Sequence, residues 1–185
     1  MTRIIGFAGP KRAGKDTAGQ VLVNAGYTKV AFADPIKSMI TSLLTVQGAT
    51  HTDIARMMEG DLKEVPTDYL SGQSPRYAMQ TLGTEWGREV MAPDFWIDAF
   101  NNRVESLKDA PVVITDVRFN NESVAIRRLG GLIVHIERDV AARADPHKSE
   151  AGISRMSGDM VLKNNYSTIE QFQNLVRYTF IIGEN

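Results

Sequence analysis

Nine residues near the N-terminus, Gly9-Pro10-Lys11-Arg12-Ala13-Gly14-Lys15-Asp16-Thr17, put two glycines, three cations and a carboxylate into one short stretch. Their spacing matches the phosphate-binding pattern G-x-x-x-x-G-K, with Asp16 where Ser or Thr is usual. Between a strand and a helix, such a loop turns backbone N–H groups and the positive end of the helix dipole toward an anion. Lys15 adds a mobile charge against the outer phosphates of a nucleotide. The chemistry expected here is nucleotide-phosphate binding. A carboxylate at Asp16 and a hydroxyl at Thr17 are both able to hold magnesium, directly or through water, and residue type alone does not choose between them.

A second group lies a hundred residues on. Asp116 closes the apolar run Val112-Val113-Ile114-Thr115, and Arg118 follows it. A strand-end carboxylate is the usual place for the group that holds Mg²⁺, often through water, in phosphate-loop enzymes. Transfer of a phosphoryl group between nucleotides gathers several negative charges, so cationic clamping is a main part of such catalysis. Arginine forks match phosphate oxygens in pairs, which draws attention to Arg12, Arg76, Arg118, Arg138 and Arg143. The three histidines have no metal-ligand spacing. His135, in an apolar strand, reads as a satisfied core residue, His51 as a loop residue, and His147 as part of a loop that orders over the site. Trp86 and Trp96 read as core, with Trp96 alternatively stacking on a base.

The elements that must position these groups follow from periodicity. Ile4 to Ala8 reads as a strand and Ala18, Val21, Leu22 and Ala25 as one face of the helix after the loop. Tyr27–Ala33 is a second strand, and Asp34-Pro35 starts a helix carrying Ile36, Met39, Ile40, Leu43 and Leu44. Thr52 caps a short helix, and 59–73 is a surface excursion. Ser74-Pro75 opens a helix running to Met91, with Met79, Leu82 and Trp86 inward. Asp94 caps the next. Strands follow at 112–116 and 132–137, a helix from Asn120 or Asn121 to Leu129, a polar loop from Arg138 to Glu150, and a short strand at 160–162. Ser167 with Glu170 forms a capping box for the last helix. Strands apolar on both faces and alternating with helices indicate an α/β domain with a parallel sheet of about five strands. In such sheets ligands sit beyond the C-terminal strand ends, where the loop at 9–17, the stretch 34–37 and the stretch 116–118 all fall.

The chain has 185 residues and a formal net charge of -1, which argues against a broad nucleic-acid surface. It has no cysteine, so disulfides and thiolate metal sites are excluded. No signal peptide and no membrane-length apolar run is present, and the expectation is a cytoplasmic protein.

Taken in order, the stretches 9–17, Asp34-Pro35-Ile36-Lys37, Met79-Gln80-Thr81-Leu82-Gly83-Thr84, Thr115-Asp116-Val117-Arg118-Phe119-Asn120-Asn121-Glu122 and His147-Lys148-Ser149-Glu150-Ala151-Gly152 resemble the phage-type deoxynucleoside monophosphate kinases, a branch of the phosphate-loop NMP kinases. Asp16 is typical of that branch. The resemblance implies a single kinase domain over 1–185, a substrate-binding excursion at about 49–92 and a short lid at about 138–152. It implies transfer of the ATP γ-phosphate to a dNMP with Mg²⁺, giving ADP and a dNDP. Arg12, Ala13, Gly14, Lys15, Asp16, Thr17, Arg143 and Asn164 would hold ATP. Lys11, Lys37, Arg76, Gly83, Thr84, Trp96, Asp116, Arg118 and Glu122 would hold the dNMP. Lys15, Arg118, Asp116 and Arg138 would be catalytic, and Asp16, Thr17 and Asp116 would serve the metal. The implied partners are the two nucleotides, with no nucleic-acid polymer and no membrane, and the resemblance leaves room for a homodimer. Competing readings are a phosphomevalonate-type or dephospho-coenzyme-A-type kinase, or a slow ATPase acting as a switch.

Overall fold

The structure, a computed structural model, describes residues 4–139 and 152–182. It contains a five-stranded, all-parallel sheet in the order β2-β3-β1-β4-β5. The strands are β1 (Ile4–Ala8), β2 (Thr28–Lys29), β3 (Val112–Val117), β4 (Leu132–Glu137) and β5 (Met160–Lys163). The second strand is shorter than its apolar pattern suggests, although Val30 N still donates to Val113 O.

Alternation along each strand divides the core in two. Ile5, Phe7, Val113, Val134 and Ile136 point to one side, where α1 (Lys15–Asn24) and α7 (Ile169–Arg177) supply Ala18, Leu22, Phe172 and Val176. Ile4, Ala8, Val112, Ile114 and Ile133 point to the other, against Phe100 and Val104 of α5 (Phe95–Ser106) and Ile126 of α6 (Asn120–Arg128). Period-two apolar faces on both sides are what a buried parallel strand needs. The α/β expectation therefore holds.

The chain divides into two compact units, one made of the residues up to Phe32 with those from Ile97 onward, the other Ala33–Trp96. The second contains α2 (Asp34–Val46), α3 (His51–Glu59) and α4 (Pro75–Thr81), around a core of Ile36, Ile40, Leu44, Ile54, Met57, Met58 and Trp96. Several caps differ from expectation. Thr50, not Thr52, caps α3 by accepting from Asp53 N at 3.1 Å, which makes His51 the first helical residue rather than a loop residue. The capping box of α7 pairs Thr168 with Gln171 rather than Ser167 with Glu170. Ser74 caps α4 as expected, but the helix widens into a π-helix over Leu82–Met91. The 3.6-residue pattern does not announce that change.

Candidate active site

The loop after β1 is shaped by its unusual backbone. Gly14, at φ 111°, caps α1, and Arg12 sits at φ 66°, the left-handed region that non-glycine residues seldom occupy. A Cβ on Gly14 would fall 2.6 Å from Asn164 Nδ2. This close approach is a hydrogen bond in the making of the loop: Asn164, buried at the end of β5, donates from Nδ2 to Ala13 O at 2.7 Å. Asn164 therefore holds the loop's own backbone. Lys15 donates from Nζ to Gly9 O at 2.7 Å and to Pro10 O at 2.9 Å, so its ammonium lies across the loop.

Beside this loop is a cavity of about 320 Å³ lined by Arg12, Gly14, Lys15, Asp16, Thr17 and Arg138, together with Asn164 and the 166–169 turn. Six of the eight residues expected to hold ATP thus line one cavity. Of the other two, Ala13 is buried and contributes its carbonyl to Asn164, and Arg143 lies outside the described residues, as do His147 and positions 140–151 of the expected lid. Arg138 Nη1 donates to Arg12 O at 3.3 Å, a contact at the rim. Lys11 is exposed in the loop.

Asp16 is held by two partners that the sequence reading left out. Thr115 Oγ1 donates to its Oδ1 at 2.7 Å, and Lys29 Nζ lies 3.2 Å from the same oxygen. Burial works against ionisation of Asp16, but the Thr115 hydroxyl, the Lys29 ammonium and the Lys15 charge outweigh it and hold the carboxyl below its ordinary value. Asp16 is thus a fixed anion at the first turn of α1. Strand alternation was the available signal for Thr115, because it puts that residue on the Val113 side of β3, which α1 covers.

A second cavity, of about 250 Å³, lies at the ends of β1, β3 and β4 and shares Lys15 with the first. Arg118, His135, Glu137 and Arg155 line it. Arg118 is positioned by Glu122, whose carboxylate is buried and accepts from Arg118 N at 2.7 Å and Phe119 N at 3.0 Å. Glu122 thus orients the Arg118 turn from inside, where direct nucleotide contact had been expected of it. Asp116 accepts from Phe32 N at 3.2 Å through Oδ1, tying the β3 end to the chain leaving β2. His135 is partnered, as a core histidine should be: its Nε2 is 3.0 Å from Asp159 Oδ2, and Arg127 grips the same carboxylate at 2.7 and 3.0 Å.

In the Ala33–Trp96 unit, Lys37 pairs with Glu59, and Arg76 lies half-buried in the first turn of α4. Gly83 and Thr84 are buried in the π-helical segment. Trp96 is 2% exposed and donates from Nε1 to Gly83 O at 2.7 Å, so no ring face is offered to a base. That corrects its alternative role as a stacking surface.

A protein-family model described as deoxynucleotide monophosphate kinase matches residues 45–176. A protein of Acanthamoeba polyphaga mimivirus is 35% identical over 182 residues, 91% of each chain. The chain belongs to the deoxynucleotide monophosphate kinase family. Relatives in Escherichia phage RB69 and Enterobacteria phage T4, each named deoxynucleotide monophosphate kinase, are 26% identical over 62% of this chain and 28% over 55%. The chain spans less than half the length of those two relatives, 48% and 44%. As a member of this kinase family it carries Arg12 and Lys15 of the loop in one cavity and Arg118 in the adjoining one, with Lys15 common to both. Among the described residues no helix is long and apolar enough to cross a membrane.

Among the described residues no group of three or more His, Cys, Asp or Glu side chains could hold a metal ion. Magnesium does not require one, since it is usually bound by one or two carboxylates plus substrate phosphates and waters. Asp16, an ionised hard-oxygen donor beside Thr17 in the cavity wall, fits that pattern.

Proposed function

We propose that this protein transfers the γ-phosphoryl group of ATP to a deoxynucleoside monophosphate, yielding ADP and a dNDP. The observation that carries the reading is the sharing of Lys15 by two adjoining cavities, one lined by the phosphate loop and the other by Arg118. One cavity suits the donor phosphates. The other brings a second cation, Arg118, to the place where phosphoryl transfer develops charge.

An oxygen of the acceptor phosphate attacks the γ-phosphorus in line, and the bond to the β,γ-bridging oxygen breaks, leaving ADP. The attacking oxygen is already ionised, so no general base is needed. Lys15 gives up its two carbonyl partners for phosphate oxygens, and Arg118, oriented by Glu122, draws on the equatorial oxygens. Bound magnesium, held by Asp16 or Thr17, would neutralise charge on the donor phosphates. Asp116 stands near the β3 end to serve metal and acceptor placement. Lys11, Lys37 and Arg76 are the further cations assigned to the acceptor, and Arg138 and Arg143 to the lid, which with the excursion at about 49–92 completes a single catalytic chain.

The test is ADP release measured with ATP and a panel of dNMPs, NMPs and unrelated phosphorylated acceptors. Dependence on a dNMP, with losses of about a hundredfold or more for Lys15→Ala and Arg118→Ala and a marked loss for Asp116→Asn, is expected. Turnover independent of any nucleoside monophosphate, or preference for another phosphorylated acceptor, overturns the assignment.

A further inference from the structure

The cavity of about 250 Å³ at the ends of β1, β3 and β4 belongs to the sheet-bearing unit alone, since every residue lining it lies before Phe32 or after Ile97. Three cations stand among its described lining residues, Lys15, Arg118 and Arg155. The first two already have places in the reaction, and Arg155 has none. Its guanidinium pairs through one Nη with the carboxylate of Glu137, which closes β4 and lines the same cavity. Both side chains are about half exposed, and an ion pair so open to water contributes little to stability. The backbone beneath the pair is held far more firmly than such a contact needs.

Ser154 N donates to Asn120 Oδ1 at the start of α6 at 2.8 Å, and Met156 N donates to Asp159 Oδ2 at 2.9 Å, so the chain is tied down on both sides of Arg155. Asp159 is itself fixed, with its side chain 2% exposed and gripped by Arg127 and His135. Glu137 is anchored as well, because its O accepts at 2.7 Å from N of Asn164, the residue whose side chain holds the phosphate loop. Fixed roots beneath a solvent-accessible guanidinium lower the entropy lost when that group takes up a ligand. Glu137 engages one Nη, and a guanidinium carries five N–H donors in a planar fork, so a second edge remains to meet two phosphate oxygens. We propose that Arg155 is a third cation acting on the transferred phosphoryl group, and that Glu137 is its positioning residue. Arg155 joins Lys15 and Arg118 in drawing on the equatorial oxygens while the bond to the bridging oxygen breaks, and Glu137 keeps the fork aimed into the cavity. The inference rests on the kinase reading above.

The experiment uses the full chain with saturating ATP and the dNMP that wild type uses best, comparing Arg155→Ala, Glu137→Ala and the double variant. Arg155→Ala should lower kcat by about a hundredfold, with the KM values of both substrates little changed, as befits a contact made mainly in the transition state. Glu137→Ala should lower kcat severalfold, and the double variant should be no slower than Arg155→Ala, because Glu137 acts only through Arg155. Guanidinium ion, at concentrations too low to unfold the protein, should restore part of the Arg155→Ala rate, which a merely structural role would not allow. Thermal melts of the variants should match that of wild type. A normal kcat in Arg155→Ala overturns the proposal, as do a loss that guanidinium does not rescue and single losses that multiply in the double variant, although the kinase assignment then stands. A wild type that phosphorylates no dNMP overturns the kinase assignment, and this proposal with it.

Discussion

At the scale of single residues, the cavity depends on side chains that hold other side chains. Thr115 both buttresses Asp16 and lowers its pKa, so Thr115→Val should let the carboxyl rise toward its ordinary value and lose its direction. With one hydrogen bond removed, the expected cost is about 1 kcal/mol of stability, with a severalfold rise in the KM for ATP read from initial rates. Asn164→Ala removes the donor to Ala13 O and should weaken ATP binding similarly, because the loop carbonyl loses its anchor. Asp159 gives a prediction with a sign. Burial opposes its charge, but Arg127, Met156 N and His135 bring its carboxyl down from 3.8 to about 2. The folded value lies below the unfolded one, so the stabilisation is fully present above about pH 4 and is lost as pH falls toward 2. At roughly 1.4 kcal/mol per unit, it amounts to about 2 kcal/mol. Urea unfolding of wild type and Asp159→Asn should therefore differ clearly near pH 6 and converge as the pH approaches about 2.

At the scale of elements, two glycines show how backbone and packing share the work. Gly14 combines a left-handed φ with a site already filled by Asn164, so Gly14→Ala meets strain and a steric conflict together. A loss of more than about 1 kcal/mol is expected, with ATP binding lost before the fold, as a thermal melt with and without nucleotide would reveal. Gly87 has a different reason. A Cβ there would lie 2.3 Å from Trp96 Nε1 and 2.5 Å from Cε2. The indole lies across the π-helical segment to reach Gly83 O, and the wide turn with a bare Gly87 makes room for it. Gly87→Ala should cost about 2 kcal/mol or more, because a rigid indole cannot step aside.

At the scale of the whole molecule, the two compact units supply a readout for that last change. Hydrogen exchange in Gly87→Ala should quicken within Ala33–Trp96 while the sheet strands keep their protection, and equal quickening in both would contradict separate cooperative units. Sequence reading succeeded where the signal is local. Local spacing was sufficient for the phosphate loop, for the strands read at 112–116 and 132–137 and for the parallel sheet, since each is encoded by near neighbours or by a period. It also sufficed to place Arg118 and Asp116 at a strand end. It did not reveal Thr115 and Lys29 on Asp16, Asn164 on Ala13, or Glu122 beneath Arg118, and it left Trp96 divided between core and ligand. Thr115 and Asp16 are ninety-nine positions apart, and Asn164 and Ala13 are one hundred and fifty-one apart. Which residues are candidates to meet phosphate was written in loops a few residues long. Which residues aim it was decided only when the parallel crossovers brought distant strand ends together.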